Sequence, residues 1–232
     1  MQAIITGASK GMGRAIALAL AAEGYSLGLL ARNETDLDLL KQELETTFPI
    51  LKFVTVAADC GSSQALQTAL ERIKTDLKQV TVIVNNVGAY FPGNINEEEE
   101  SNLLRMLDLN LLSAYRTSRF FLPDMIKNQR GHIFSICSSA SIKPQQGIGS
   151  YSISKYALYG FMKNLREELK PYRIKVTSIL PGSTLTHSWE GTDIPAEKFI
   201  LPEDIALAIV SSLKMSAGAA VEEIIINPVQ PF

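Results

Sequence analysis

Short apolar runs rich in valine, isoleucine and leucine alternate along the chain with longer segments in which apolar residues recur at helical spacing. The short runs lack polar alternation, which is typical of parallel strands that helices cover on both faces. The pattern predicts seven strands, at residues 2–5, 26–31, 52–57, 80–85, 132–136, 175–180 and 223–226. It predicts helices at residues 11–23, 34–47, 63–77, 96–129, 151–170 and 203–215, with Pro123 as a candidate break in the fourth.

Regular alternation of strand and helix predicts an α/β domain, with a doubly wound parallel sheet of about seven strands and helices on both faces. Right-handed crossovers bring the carboxyl ends of all strands to one edge of such a sheet. Ligands bind along that edge, near the point where the strand order reverses. Residues that follow the strands are therefore the first candidates for a functional site. The 232 residues are most simply one domain.

A glycine-rich turn separates the first strand from the first helix. Its spacing is Gly-x-x-x-Gly-x-Gly, in which Gly7 permits a tight turn, Gly11 lets the backbone approach a pyrophosphate and Gly13 lets helix and strand pack closely. The helix that follows offers free N–H groups to phosphate. A plain turn needs only one or two glycines, so this one favours a dinucleotide. The expected contacts are Gly7, Ser9, Lys10, Gly11, Met12 and Gly13.

The residue after the second strand distinguishes the two nicotinamide dinucleotides. An acidic side chain there binds the ribose 2′-hydroxyl of NAD, whereas an arginine accommodates the 2′-phosphate of NADP. Arg32 stands at this position, and its guanidinium suits a bidentate phosphate contact. Lys10 is a second cation within reach. These residues favour NADP(H) over NAD(H). Glu34 opposes that choice, although it also fits the first turn of the next helix.

Tyr151 and Lys155 are four residues apart at the start of a predicted helix, so their side chains share one face. A free tyrosine has a pKa of about 10, which is too high for ready proton transfer at neutral pH. An adjacent ammonium favours the phenolate, so the pair fits a general acid and base. The same spacing also arises as an ordinary surface pair on many helices.

The pair and the glycine turn belong to a larger set of motifs that resembles the short-chain dehydrogenase/reductase family over essentially the whole chain. The matching positions are Thr6, Gly7, Gly11, Gly13, Asp59, Asn85, Asn86, Gly88, Asn110, Ser138, Tyr151, Lys155, Pro181, Gly182, Thr184 and Thr186. Val87 departs from the alanine usual in the family. The resemblance implies a single Rossmann-type domain over residues 1–232. Residues 1–130 would bind the cofactor, and the catalytic and substrate loops would lie within 131–232.

The resemblance also implies the catalytic roles. Tyr151 would donate a proton to the substrate carbonyl, or accept one from an alcohol in the reverse direction. Lys155 would assist the tyrosine and bind the nicotinamide ribose, and Ser138 would hold and polarise the carbonyl oxygen. Asn110 would lie at a kink of its helix that turns the side chain inward, and it would position a water that links Lys155 to solvent. Ser135, Ser139 and Ser141 are rival serines, which fit a polar loop.

Further cofactor contacts follow from the same resemblance. Asp59 would accept from the adenine amino group, although it also suits the cap of the next helix, where Ser62 fits better. Asn85 and Asn86 would line the cofactor and tie neighbouring strands. The remaining expected contacts are Gly88, Pro181, Gly182, Thr184 and Thr186, together with Tyr151 and Lys155.

Composition excludes several other classes of protein. The net charge of −2 gives no electrostatic case for binding nucleic acid or an anionic membrane. Two cysteines and two histidines argue against a disulfide framework and a zinc site. No apolar run reaches the ~20 residues of a membrane span, and no signal peptide is apparent, so we expect a cytoplasmic protein. The acidic run at 97–100 is expected in the first turn of a helix.

Three loops, at residues 90–94, 139–149 and 182–200, are expected to enclose a mostly apolar substrate site. The family resemblance implies an NADP(H)-dependent carbonyl reductase, with 3-oxoacyl thioesters, pterin-type diketones, sugars and other ketones as substrate classes. Arg130 and Arg173 resemble residues that dock an acidic acyl carrier, or are plain surface cations. An NAD-dependent alcohol dehydrogenase and a nonenzymatic dinucleotide sensor remain alternatives. We expect a homodimer or homotetramer, paired through helices 96–129 and 151–170.

Overall fold

A computed structural model describes residues 1–230 and has one sheet of seven parallel strands in the order β3-β2-β1-β4-β5-β6-β7. The order reverses between β1 and β4, which defines the switch point of a doubly wound sheet. The predicted fold class is therefore confirmed. The strands are β1 Gln2–Thr6, β2 Ser26–Ala31, β3 Phe53–Ala57, β4 Val82–Asn85, β5 Gly131–Ile136, β6 Ile174–Pro181 and β7 Glu223–Ile226.

Seven α-helices and one π-helical segment connect the strands. They are α1 Gly11–Ala22, α2 Glu34–Thr47, α3 Ser63–Asp76, α4 Glu100–Met106, the π-helical segment Leu107–Leu112, α5 Ser113–Asn128, α6 Gly149–Leu169 and α7 Pro202–Leu213. Most predicted bounds agree within two residues. Residues 1–230 contain no helix with the length and apolar character that a membrane span requires.

Two apolar layers cover the sheet, one on each face. Because side chains alternate across a strand, Ile5 and Leu29 pack on the face covered by α1, α2 and α7, while Ile4 and Leu30 pack on the face covered by α3, α5 and α6. All four of these side chains are fully buried. This two-sided burial explains why the strands are continuous apolar runs in the sequence.

The fourth predicted helix differs from the expectation in two ways. The predicted segment 96–129 is divided by the π-helical turn Leu107–Leu112, whereas the helix continues unbroken through Pro123. It also begins later, since α4 starts at Glu100 and Glu99 is its N-cap. The expectation that all four acidic residues occupy a first helical turn is therefore wrong. Glu98 instead contacts the start of α6, as described below.

His132 is a buried imidazole between β5 and β6. Its Nε2 lies 2.7 Å from the Thr177 hydroxyl, which donates to the Val221 carbonyl at 2.5 Å. Because that hydroxyl already uses its proton, the imidazole must donate to it from Nε2. The ring also stacks on Phe134 with centroids 3.9 Å apart. Burial, with a smaller effect from Lys175, lowers the pKa of His132 to about 3.

We expect His132 to make the free energy of unfolding depend on pH in the acidic range. The unfolded chain binds a proton at a pKa near 6.5 that the folded chain binds only near 3, so the free energy of unfolding falls as pH drops from about 6.5 towards 3. Urea unfolding near pH 5 would compare wild type with His132→Gln. Wild type should lose about 1.4 kcal/mol more per pH unit than the variant, which corresponds to one proton. Equal slopes would contradict the assignment.

Candidate active site

The turn after β1 requires glycine at each position of the motif. Gly7 and Gly11 have φ values of +67° and +51°, which disfavour residues with a side chain. At Gly13 a Cβ atom would overlap the Gly7 carbonyl oxygen and lie 2.6 Å from Asn86 Nδ2. The turn is therefore a cradle of bare backbone at the N-terminus of α1. Ser9 and Met12, the other expected contacts, are partly exposed within it.

A hydrogen-bonded lock joins this turn to the loop after β4 across the switch point. Asn86 donates from Nδ2 to the carbonyl oxygens of Thr6 and Gly7, at 3.1 and 2.9 Å. In return, the Thr6 hydroxyl oxygen accepts from the backbone N–H groups of Asn86 and Val87. The lock fixes the shape of the cradle without any ligand.

Two cations lie near the end of the cradle. Lys10 is the N-cap residue of α1, and its Nζ forms an ion pair with Asp36 of α2 at 3.0 Å. Arg32 directly follows β2 and is exposed. The sequence pattern gave no sign of the Asp36 partner, because the two residues meet only when α1 and α2 pack side by side. Contact between Arg32 and a ribose phosphate stays a prediction.

Asn85 lies beneath the surface at the end of β4. Its side chain donates to the Ser118 and Ser135 hydroxyls at 3.1 and 3.2 Å, and only 4% of the residue is exposed. It therefore ties β4 to β5 and α5, as expected for one of its two predicted functions. Its contact with a cofactor stays a prediction.

Asn110 is fully buried in the π-helical segment. Its Oδ1 accepts from the Ala89 backbone N–H at 2.6 Å, and its Nδ2 donates to the Ala89 carbonyl and to Ser154 Oγ. The π turn places this side chain inward, between the loop after β4 and helix α6. Ser154 is a partner that sequence analysis missed. A water held beside Lys155 stays a prediction.

Tyr151 and Lys155 lie on one face of the first turns of α6. The ammonium is 5.9 Å from the centre of the tyrosine ring, and only 4% of Lys155 is exposed. Its Nζ donates to the Ile136 carbonyl at 2.8 Å, at the carboxyl end of β5. A Cβ added to Gly88 would lie 3.3 Å from this nitrogen. An ammonium has three donors, so capacity remains for a ligand hydroxyl.

Ser138 follows β5 and caps a short 3₁₀ turn, Ser139–Ser141, that packs on α6. Its hydroxyl oxygen accepts from the Ala140 N–H, while its own N–H donates to Ser141 Oγ. This arrangement leaves the hydroxyl proton of Ser138 able to donate to a substrate oxygen. The rival Ser135 and Ser141 are fully buried within the protein.

The loop after β6 closes over the cradle. Thr186 lies against the turn, since a Cβ on Gly11 would be 3.2 Å from its methyl group. Thr184 is 6% exposed and pairs with Ile200 in an isolated bridge, which ties the loop to the start of α7. Pro181 ends β6, and the Gly182 N–H donates to Ile226 of β7. The loop is thus anchored at both ends.

Asp59 is exposed beyond β3, and its Oδ1 accepts from the Gly61 N–H at 2.9 Å. Ser62 is the N-cap of α3, as expected, so Asp59 does not perform that function.

Tyr90, in the loop after β4, packs edge-on against Tyr151 with ring centroids 5.0 Å apart. Burial, with a smaller effect from Tyr151, raises the pKa of Tyr90.

Together these residues form one crevice on the carboxyl edge of the sheet. A bare-backbone cradle lies at one end, and a phenol, an ammonium and a serine hydroxyl lie at the other. Residues 1–230 bring no three histidine, cysteine, aspartate or glutamate side chains into a group that could hold a metal ion. The phenol, the ammonium and the hydroxyl are groups that can transfer or donate protons.

Comparison with known proteins supports the same interpretation. The family described as short chain dehydrogenase matches residues 1–194. An uncharacterized oxidoreductase of Staphylococcus epidermidis is 30% identical over 227 residues, which cover 98% of this chain and 96% of that protein.

Two solved structures share the whole fold. An alcohol dehydrogenase from the archaeon Thermococcus sibiricus, complexed with 5-hydroxy-NADP, is 27% identical with a TM-score of 0.90, covering 100% of this chain and 98% of that one. L-sorbose reductase from Gluconobacter frateurii, complexed with NADPH and L-sorbose, is 26% identical with a TM-score of 0.90, covering 98% of this chain and 95% of that one. The resemblance that the sequence motifs carry is confirmed.

Proposed function

This chain belongs to the short-chain dehydrogenase family of oxidoreductases, and from that premise we propose that it is an NADP(H)-dependent carbonyl reductase. The observation that carries the proposal is the buried Lys155 ammonium, 5.9 Å from the Tyr151 ring and beside Gly88. A buried cation about 6 Å from a phenol ring at a ligand crevice suits proton transfer better than it suits stability.

The cradle and its two cations support NADP(H) as the cofactor. Residues around the turn would hold the pyrophosphate on bare backbone, and the turn keeps this shape only with Gly13, because a Cβ there would overlap the Gly7 carbonyl oxygen. Arg32 and Lys10 would hold the 2′-phosphate, with Lys10 exchanging its Asp36 partner for it. Both solved relatives described above contain an NADP-type ligand.

The catalytic step needs one proton donor and one carbonyl clamp from the protein. The bound nicotinamide would supply the hydride. Tyr151 donates its phenolic proton to the carbonyl oxygen, and the Lys155 ammonium stabilises the phenolate that remains. The Ser138 hydroxyl, whose oxygen is held by the Ala140 N–H, donates to the same carbonyl oxygen and polarises it.

Replacing Tyr151 by Phe should abolish this proton transfer while it keeps the ring that packs on Tyr90. We expect kcat for NADPH-dependent reduction to fall about 10²–10⁴-fold, with the Kd for NADPH nearly unchanged. Steady-state kinetics over a panel of ketones, acetoacetyl thioesters and sugars would measure kcat. NADPH fluorescence would measure the Kd.

Tyr172→Phe is the matched control, because Tyr172 is an exposed tyrosine in the short turn that follows the same helix. A proportional loss of turnover and cofactor affinity in Tyr151→Phe would indicate a structural role instead. NADPH binding without oxidation by any carbonyl in the panel would favour the nonenzymatic sensor.

The charge at Arg32 should determine cofactor choice. Arg32→Asp places a carboxylate where the 2′-phosphate would lie, so NADPH binding should weaken at least tenfold while NADH binding changes little. Fluorescence titration of both cofactors measures this ratio. Equal weakening of NADH and NADPH would contradict the phosphate contact, and tighter NADH binding by wild type would favour an NAD-dependent alcohol dehydrogenase.

The substrate class within carbonyl compounds is part of the proposal, with 3-oxoacyl thioesters as the first candidates. Arg130 and Arg173 directly precede β5 and β6, so they lie at the amino edge of the sheet. Tyr151 and Lys155 lie at the opposite, carboxyl edge, so within one chain the two arginines do not flank the crevice. The thioester proposal therefore depends on the carbonyl panel and not on these cations.

We also propose that two copies pair through α5 and α6. The apolar residues of α6 belong mostly to the core, because Leu158, Met162, Leu165 and Leu169 are buried. The outer face still exposes apolar surface at Ile153 and Tyr156, and Tyr115 of α5 is also exposed. Pairing would bury this surface. A tetramer would need a second contact elsewhere.

Gly160→Arg should disrupt such pairing without disturbing the protomer. A Cβ on Gly160 has no atom within 4 Å, so the side chain would project outward from α6. Sedimentation equilibrium should show a shift from dimer to monomer. Gly218→Arg, at a glycine that also has open space, is the control and should remain associated. A monomeric wild type would refute the pairing.

The proposal also includes a cytoplasmic location and a division of the chain into two functional parts. Burial raises the pKa of the Cys60 and Cys137 thiols to about 12, so neither is poised to form a disulfide. This fits the cytoplasm that we expected. The division into a cofactor-binding part, 1–130, and a catalytic part within 131–232 also remains a proposal.

A further inference from the structure

The loop at residues 90–94, which we call the substrate loop, is followed by a segment that lies directly on the N-terminus of α6, the helix that carries Tyr151 and Lys155. The Gly93 N–H donates to the Gly147 carbonyl at 2.7 Å, and the Gly149 N–H donates to the Gly93 carbonyl at 3.1 Å. A Cβ on Gly149 would overlap Ile95, so the two segments touch without any gap. The loop after β4 and the start of α6 therefore form one packed unit.

Helix α6 has no cap of its own. Its N-cap residue is Ile148, whose side chain cannot accept a hydrogen bond from the first turn. Glu98 performs this function from 52 residues away, because its Oε1 accepts from the Ser150 N–H at 3.1 Å and from the Ser150 hydroxyl. A carboxylate at this end of a helix is also favoured by the helix dipole.

Glu98 is unlike its acidic neighbours. Glu97 and Glu99 are exposed and make local contacts, with Asn94 and Ser101 respectively. Glu98 is partly buried, and its second oxygen, Oε2, is fully enclosed and accepts no hydrogen bond within residues 1–230. Desolvating a carboxylate costs free energy, so the two bonds to Ser150 must hold it in place.

The residue after Ser150 is Tyr151, and the loop that ends at Glu98 begins near Tyr90, which packs on the Tyr151 ring. Tyr151 is therefore held at two points of the same packed unit. Its backbone is held by the capped turn, and its ring is held by Tyr90. A small rotation of this turn would move the phenolic oxygen away from a bound carbonyl.

We propose that Glu98 is a positioning residue for the proton donor, which couples the substrate loop to the first turn of α6. It acts through Ser150 and does not touch the substrate. This inference rests on the proposed reductase function, and it deepens that function by assigning a residue that aligns Tyr151. Loss of the cap should therefore reduce turnover and leave the dinucleotide cradle, at the other end of the crevice, unaffected.

Four variants of the full-length protein test this. Glu98→Ala removes the cap, Glu98→Gln keeps an acceptor oxygen, Ser150→Ala removes the hydroxyl bond alone, and Glu97→Ala is the matched control. We expect Glu98→Ala to lower kcat roughly ten- to hundredfold, with the KM and Kd for NADPH within about twofold of wild type. Glu98→Gln should restore most of kcat, and Glu97→Ala should match wild type.

The double variant Glu98→Ala/Ser150→Ala gives a second readout. If both residues act through one contact, its kcat should equal that of Glu98→Ala. Additive losses in kcat, or a loss of NADPH affinity in proportion to kcat, would overturn the proposal in favour of general destabilisation. A kcat of Glu98→Ala within twofold of wild type would also overturn it.

Amide hydrogen exchange separates this inference from the proposed function. In Glu98→Ala, exchange should accelerate in residues 149–156 and stay unchanged in α1, whether or not a carbonyl is reduced. Unchanged exchange in 149–156 would refute the role of Glu98. Absence of NADPH oxidation by wild type would instead refute the reductase, with the exchange result still deciding whether Glu98 caps the helix.

Discussion

The close approach of two loops at the switch point is the constraint on which the rest of the structure depends. Gly13 must lack a side chain so that α1 can pack on the Gly7 carbonyl, and Asn86 must hold the turn from the neighbouring strand. With the cradle fixed, β4 and β5 end in register beside it. The loops that follow those strands then carry Gly88 and Ser138 to the same crevice as Lys155.

The spacing of apolar residues predicted the fold because it reflects which side chains are buried, and burial follows a simple pattern in this sheet. Seven apolar runs became seven strands, since both faces of the sheet are covered. The π-helical turn at Leu107–Leu112 left no comparable signal in the hydrophobic pattern, and only the family resemblance implied a kink at Asn110. It adds one residue to a helical turn so that Asn110 points inward, and the stabilising partners, Ala89 and Ser154, are distant in sequence. The pattern of residues within one segment cannot reveal partners that lie so far apart in the sequence.

The candidate site likewise has some features that the sequence could predict and others that it could not. Backbone requirements, such as the positive φ at Gly7 and Gly11, were predictable because they restrict those positions to glycine. The partners of the charged groups could not be predicted. Lys10 pairs with Asp36, and Glu98 caps a helix 52 residues further along the chain. A residue type reveals what a group can bind, whereas packing determines which partner it meets.

The lock at the switch point also has a consequence for synthesis. Asn86 reaches the Thr6 carbonyl across 80 residues, so the cradle cannot form until β4 has left the ribosome and paired with β1. At about 5–20 residues per second, the nascent first strand waits roughly 4–16 seconds with one edge unpaired. Such an edge can pair with another chain. Strand β1, which lies inside the finished sheet, is thus exposed to such pairing until β4 has been made.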